Sequence, residues 1–311
     1  MGDQTPSRAS AERFRGFGSL YDEVRPRPPA RLGDLLVRYS GGSAALTVDL
    51  GSGTGTSTRW AASWSREVIG VEPSADMREV AERSSAPAIT YIDGWSHDTQ
   101  LPASIADVVL AVQALHWMEP DPTFREVQRL LRPRGVFAAV DCDWPPATGD
   151  HLVEKAWEDC RRRVMLLGDR LSGAGRDADV GAPEIAAHEH SGSDAHGDRE
   201  MPDGSRSWAK TDHLARMKAS GAFDWCRELV VVGEEDGAAE RYIGLLRSQG
   251  DYQALRRGGF TDADIGFDGF EQLVRRRMGS ATRSWMFSWR VRLGIATDSG
   301  DARHVGVVLP S

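Results

Sequence analysis

"VDLGSGTGTST", residues 48–58, decides how this chain is read. An apolar run stops at three glycines on alternate positions, Gly51, Gly53 and Gly55, and a helix-forming segment follows. A glycine turn between a strand and a helix suits a nucleotide. The spacing here is G-x-G-x-G, however, whereas a dinucleotide turn reads G-x-G-x-x-G and sets a pyrophosphate on the helix N-terminus. The register differs by one residue, which argues against a dinucleotide.

Outward from this turn, apolar runs bounded by turn residues alternate with helix-period segments, the mark of parallel strands joined by helices. Strands are expected at 46–50, 67–72, 88–93, 106–113 and 135–142. Helices are expected at 56–64, at 75–84 with Ser74 capping the first turn, and at 121–131, stopped by Pro133. The period then changes: over 151–167, Val153, Trp157, Cys160, Val164 and Leu167 share one stripe of an amphipathic helix. Residues 168–207 hold too few large apolar side chains to offset their ordering entropy, so a mobile tract is expected. A helix at 207–220 ended by Gly221, a sixth strand at 226–233, helical segments over 237–280 and a final strand at 284–297 complete the chain.

A chain of 311 residues, 40% hydrophobic, can bury a large core, as one enlarged domain or as a domain with a cap. Its net charge of -8 argues against a nucleic-acid binder, which normally displays a basic surface. The basic triplets Arg161 to Arg163 and Arg275 to Arg277 read as mostly solvated helix faces, with contact to an anionic substrate as the alternative. Cys142, Cys160 and Cys226 form no C-x-x-C, which suits reduced thiols in a cytosol. No secretory h-region and no run long enough for a bilayer are present, so a soluble cytoplasmic protein without membrane partners is expected. Ten tryptophans suit a core or cap, and also a pocket for an organic molecule.

Taken together, the segments resemble the class I S-adenosylmethionine-dependent methyltransferases, in particular the small-molecule branch with trans-aconitate-type enzymes. "VDLGSGTGTST" is similar to that family's first motif, "VIGVEPSADM" to its second and "YIDG" to its third. "ADVVLAVQALHWMEPDPTFREVQRLLRPRG" follows its fourth strand and next helix, and "YDEVRPRPP" resembles a Y-x-x-x-R-P-x-x-P segment upstream. The likeness is good over residues 14–147 and looser in the final strands. Arg134 departs from it, standing where the family has glycine before strand five.

The resemblance implies a Rossmann-like α/β sheet of seven strands, strand seven antiparallel, and S-adenosylmethionine as cofactor. It implies that Gly51, Ser52, Gly53 and Gly55 admit the amino-acid part of the cofactor, and that Asp49 holds its ammonium directly or through water. Glu72 would accept the ribose hydroxyls and Asp93 the adenine amino group. Pro73, Met77, Gly94, Trp95, Gln113 and Ala114 complete the cofactor set, with Tyr21 and Arg25 from the N-terminal segment. Each acid could alone be an ordinary strand-end carboxylate; three at successive strand ends favour the ligand.

His116 is the best-placed candidate base, with turn packing as the alternative, since methyl transfer can run on proximity alone. Asp141 and Asp143 are alternative proton acceptors. Trp117, Trp144, Lys210 and His213 are candidate acceptor-binding residues, although a solvated helix start also explains the last two. His188, His190 and His196 lie in the polar tract, where no rigid scaffold favours a metal. The expected organisation is a covering segment at 1–40, a cofactor core at 41–147, a cap insertion at 148–207, and the rest of the core at 208–311 with a second cap insertion near 234–283. The expected activity is metal-independent methyl transfer to a small or medium organic acceptor of specialised metabolism; a homodimer is compatible. A relative that binds the cofactor without methylating, as a cyclisation catalyst or ligand-binding regulator, is the alternative.

Overall fold

The computed structural model describes residues 18–171, 197–200 and 205–297. Most of the polar tract, with its three histidines, lies outside them.

Strands β1 (Leu46–Leu50), β2 (Glu67–Val71), β3 (Ile89–Ile92), β4 (Ala106–Val112) and β5 (Leu131–Cys142) are followed by a short ribbon of β6 (Arg199–Glu200) and β7 (Arg206–Ser207). Then come β8 (Phe223–Gly237) and β9 (Arg283–Ala296). Seven of these form one sheet in the order β3-β2-β1-β4-β5-β9-β8. The first five run parallel, and β9 is antiparallel to both its neighbours. This is the Rossmann-like topology expected, with the last strand inserted between the fifth and sixth strands of the sheet.

Parallel strands covered on both faces must be apolar on both. In β4, Val108 and Leu110 face a layer with Leu32, Leu36 and Trp60 from helices α2 (Ala30–Tyr39) and α3 (Thr56–Ala61). Val109 and Ala111 face the opposite layer, where α5 (Pro120–Leu130) brings Phe124 and Val127, and α7 (His213–Ala219) brings Met217. The remaining helices are α1 (Gly18–Val24), α4 (Ala75–Arg83), α6 (His151–Leu171), α8 (Ala239–Arg247), α9 (Gly250–Arg257), α10 (Asp262–Ile265) and α11 (Phe267–Met278).

Helix α6 carries the stripe its sequence shows: Val153, Trp157, Cys160 and Val164 are buried, with Leu167 partly so. It packs on α9, α10 and α11. The Trp157 ring lies 5.9 Å from Trp144, 5.1 Å from Tyr242 and 6.2 Å from Phe270.

Several boundaries differ, among them that of the helix expected at 56–64, which ends at Ala61. Strand β5 starts at Leu131, because Leu131 pairs with Ala106 before the register shifts and Val136 pairs with Val108. Arg134 lies inside that shift at φ 64°, the left-handed region a glycine adopts without strain. Strand β8 extends to both sides of its apolar centre, since it pairs with β9 along its length while polar residues such as Asp224 and Glu234 face solvent. The helix expected at 207–220 is a 3-10 turn at Lys210–Asp212 followed by α7. Ser74 occupies the N-cap of α4 without a side-chain cap bond; its backbone N–H donates to Glu72 instead. Among the described residues, no helix is long and apolar enough to cross a membrane.

Candidate functional site

The loop after β1 holds Gly51, Gly53 and Gly55 at φ 66°, 56° and 84°. A Cβ at Gly51 would meet Ala114 Cβ and Met118 Cε at 2.9 Å, and one at Gly55 would collide with the Tyr91 hydroxyl. At Gly53 it would meet nothing within 4 Å, so this glycine alone of the three presents bare backbone to open space. Glu72, at the end of β2, fixes the turn: its Oε2 accepts the Gly53 N–H at 3.0 Å and its Oε1 the Ser74 N–H at 2.9 Å. Burial pushes the Glu72 pKa above its ordinary value, against those two bonds.

The loops after β1 to β4 converge with the N-terminal segment around a cleft of about 1150 Å³, counting its open mouth. Its wall includes Tyr21, Arg25, Gly51, Ser52, Gly53, Glu72, Pro73, Met77, Trp95, Gln113 and Ala114. Asp49, Gly55, Asp93 and Gly94 are not on the wall. Asp49 is fully buried behind the turn, where its Oδ2 accepts the Ser57 and Thr58 hydroxyls, each at 2.7 Å. Its Oδ1 is buried without a hydrogen-bond partner, and desolvation pushes its pKa up to about 6. Gly55 caps α3 and Gly94 packs on Val71. Asp93 turns outward, its side chain 72% exposed and bonded to Arg78 at 3.1 Å.

The wall also holds residues that sequence reasoning missed, among them Thr54, Thr56, Ser57, Ser96, His97 and Met118. Each lies within a few positions of an expected residue, so the loops were found and the side chains facing inward were not. Asp22 was missed as well. Its Oδ1 accepts Thr54 and Thr56 hydroxyls at 3.1 and 2.6 Å and Arg59 Nη2 at 2.5 Å, tying α1 to the glycine turn.

A second cleft, about 940 Å³ with its mouth, shares Tyr21, Arg25, Gln113, Trp117 and Trp144 with the first. His116 and Lys210 line it, and neither lines the first. Gln113 stands between the two at φ 54°. Its Oε1 accepts from Lys210 Nζ at 3.3 Å, and that ammonium lies 3.1 Å from Asp141 Oδ1.

Three expected residues stand elsewhere, the first being Asp143, which lines neither cleft and whose Oδ2 accepts Arg290 Nη2 at 3.2 Å. Asp141 is buried, lines neither cleft, and accepts Arg292 Nη1 at 2.6 Å. Burial alone would raise its pKa, but Lys210, His116 and Arg292 hold it well below the usual carboxylate range, so it is a poor proton acceptor. His213 is buried outside both cleft walls, and desolvation pushes its imidazole down to about 4. The apolar spacing that puts Met217 in the core also turns His213 inward, four positions earlier on the same helical face. Arg161, read as part of a solvated face, lines the second cleft with Met165, Trp208 and Gln249. Its position four residues after the buried Trp157 is the signal that could have found it. Among the described residues, no three His, Cys, Asp or Glu side chains converge as a metal site.

Residues 48–139 match a family model described as a methyltransferase domain. The chain is 34% identical over 173 residues to trans-aconitate 2-methyltransferase of Escherichia coli, a match covering 50% of this chain and 65% of that one. It is 31% identical over 124 residues to a Saccharomyces cerevisiae protein named as a probable S-adenosylmethionine-dependent methyltransferase, covering 38% and 43%. The chain spans about half the length of such curated relatives, 43% and 51% for two of them. A solved structure from Anaeromyxobacter dehalogenans, assigned as a type II methyltransferase, aligns over 88% of this chain and 98% of its own. Its TM-score is 0.57 at 23% identity, a likeness of fold.

Proposed function

The chain carries the domain of a class I S-adenosylmethionine-dependent methyltransferase, and from that premise we propose that it transfers a methyl group in line to a small or medium organic acceptor in the cytosol. Oxygen, nitrogen and carbon acceptors all fit. The observation that carries this reading is the wall shared by the two clefts. Cofactor and acceptor in adjoining spaces, meeting at Gln113, Tyr21 and Trp117, are placed for direct displacement.

The cofactor supplies an electrophilic methyl group on a sulfonium. The residues of the first cleft fit such a molecule. Gly53 offers bare backbone to its amino-acid part. Asp49 Oδ1, buried beside the wall residue Ser57, is an unused acceptor for an ammonium reached through water. Each Glu72 oxygen keeps lone-pair capacity beyond its backbone donor for the ribose hydroxyls. Trp95, Ser96 and His97 form the wall where Asp93 was expected to serve the adenine.

In the second cleft His116 takes the proton that the acceptor loses. Lys210, held by Asp141 and Gln113, presents positive charge to the same space. Asp141 is then a positioning residue. Trp117 and Trp144 line both clefts and give their junction apolar surface, which would favour the exclusion of water there.

The test is turnover of S-adenosylmethionine by the purified chain with pooled small metabolites. S-adenosylhomocysteine should accumulate with at least one pool, and His116→Ala should lower kcat about a hundredfold while leaving cofactor Kd within about twofold. Cofactor binding with no product from any pool would replace this reading by a non-methylating one.

A further inference from the structure

The triplet Arg161 to Arg163 winds round α6, and only its first member turns inward: Arg162 and Arg163 are exposed, whereas Arg161 lines the second cleft. Its Nη1 donates to Gln249 Oε1 at 3.3 Å. Its Nε is buried with no hydrogen-bond partner among the described residues. In a buried guanidinium an unanswered N–H is costly, because the group gave up water to be there.

The same wall holds a second guanidinium, that of Arg25, stacked on the Tyr21 and Trp144 rings. Arg25 donates Nε to Ser248 Oγ at 3.0 Å and Nη2 to the Ser248 carbonyl at 2.9 Å, so its hydrogen-bond partners among the described residues are neutral. Burial lowers its pKa, and the positive charge of Arg161 lowers it further. The other two cations of the wall have their carboxylates: Lys210 faces Asp141, and Arg199 bonds Asp169. The wall also carries the Asp251 carboxylate; two like charges facing one cleft repel, and an anion between them turns that repulsion into attraction.

We propose that Arg161 determines acceptor specificity: with Arg25 it pairs with a carboxylate or phosphate on the acceptor, anchoring one end while the nucleophilic atom points toward Gln113 and His116. This rests on the second cleft being the acceptor's. The forked guanidinium suits either anion, which it meets through two parallel N–H bonds.

The test is calorimetric titration of the full chain, alone and saturated with S-adenosylhomocysteine, with three probes of similar shape: benzoate, phenyl phosphate and neutral benzamide. One or both anions should bind and benzamide should bind at least tenfold more weakly; whichever anion binds tighter names the source. Arg161→Gln should weaken the anion tenfold or more, Arg161→Lys should recover part of the loss, and Arg162→Gln should match wild type. S-adenosylhomocysteine affinity should stay within twofold in every variant, which also shows that each is folded. The proposal is overturned if neither anion binds wild type, if benzamide binds as well as the anions, or if Arg161→Gln keeps anion affinity. It is also overturned if that variant loses S-adenosylhomocysteine affinity, which would assign Arg161 to the cofactor. Failure of wild type to bind S-adenosylhomocysteine would instead strike the methyltransferase reading, with the anion titration of the unliganded chain still readable.

Discussion

Gly53 and Gly51 share a left-handed backbone and differ in what surrounds them, so alanine should affect them differently. Gly53→Ala should raise the S-adenosylmethionine Kd tenfold or more while costing about 1 kcal/mol in stability, the conformational penalty alone. Gly51→Ala adds an overlap with Ala114 and Met118, so its unfolding midpoint should fall further. Calorimetry and denaturant unfolding of both variants check this; unchanged affinity in Gly53→Ala would remove that face from the cofactor site. Asp49 gives a pH signature. Its folded pKa of about 6 lies above the ordinary 3.8, so between those values the native chain holds a proton that the unfolded chain has released. The favourable contribution of that proton is present at acid pH and is lost as pH rises through about 6. Cofactor binding should run the other way, since an ammonium selects the ionised carboxyl: affinity should fall roughly tenfold per unit below about pH 6 and level off above it. Asp49→Asn should flatten that profile. Spacing located the glycine turn, and the resemblance to a known family named Glu72, Trp95 and Gln113, which line the first cleft. Asp93 is not on that wall, since a strand-end position does not say which way a side chain turns, and this one bonds Arg78 outside it.

Within elements, the strand cores were legible because two-sided burial writes itself as continuous apolar sequence, and α6 because its stripe has one period. What escaped were features set by a neighbour. The first residues of β5 belong to the strand only because Leu131 finds Ala106, and the polar flanks of β8 only because β9 runs beside them. Arg134 marks the β5 irregularity. It is exposed at φ 64°, so Arg134→Gly should stabilise the fold by about 0.5 to 1 kcal/mol, relief of left-handed strain less the entropy of a freer unfolded chain. Denaturant unfolding measures the change, and a loss of stability would mean that the arginine side chain contributes more than its backbone strain takes away. Trp157 is the opposite case. Fully buried among three other aromatic rings, it should cost about 3 to 5 kcal/mol when truncated to alanine.

Across the whole molecule, motif order was enough to predict the sheet topology, since each motif occupies a known place in the strand sequence. The closure of the first cleft by the N-terminal segment was only partly legible: Tyr21 and Arg25 were named, but not what holds them. Asp22 fastens α1 to the glycine turn, and Arg25 fastens the following residues to Ser248, between α8 and α9. Asp22→Ala should therefore speed cofactor release and weaken affinity about tenfold while shifting global stability by less than about 1.5 kcal/mol, readable by stopped-flow displacement beside thermal unfolding. Equal release rates would show that the segment stays closed without that carboxylate. The Arg25–Ser248 contact joins positions 223 apart in sequence. On the ribosome, at about 5 to 20 residues per second, the partner of Arg25 is made roughly 10 to 45 s after it. Strands β1 to β5 can assemble during that interval, and Asp22 can already join α1 to the glycine turn. The Arg25 side of the wall stays unfastened until Ser248 has been made, so full closure over the cofactor cleft comes late in synthesis.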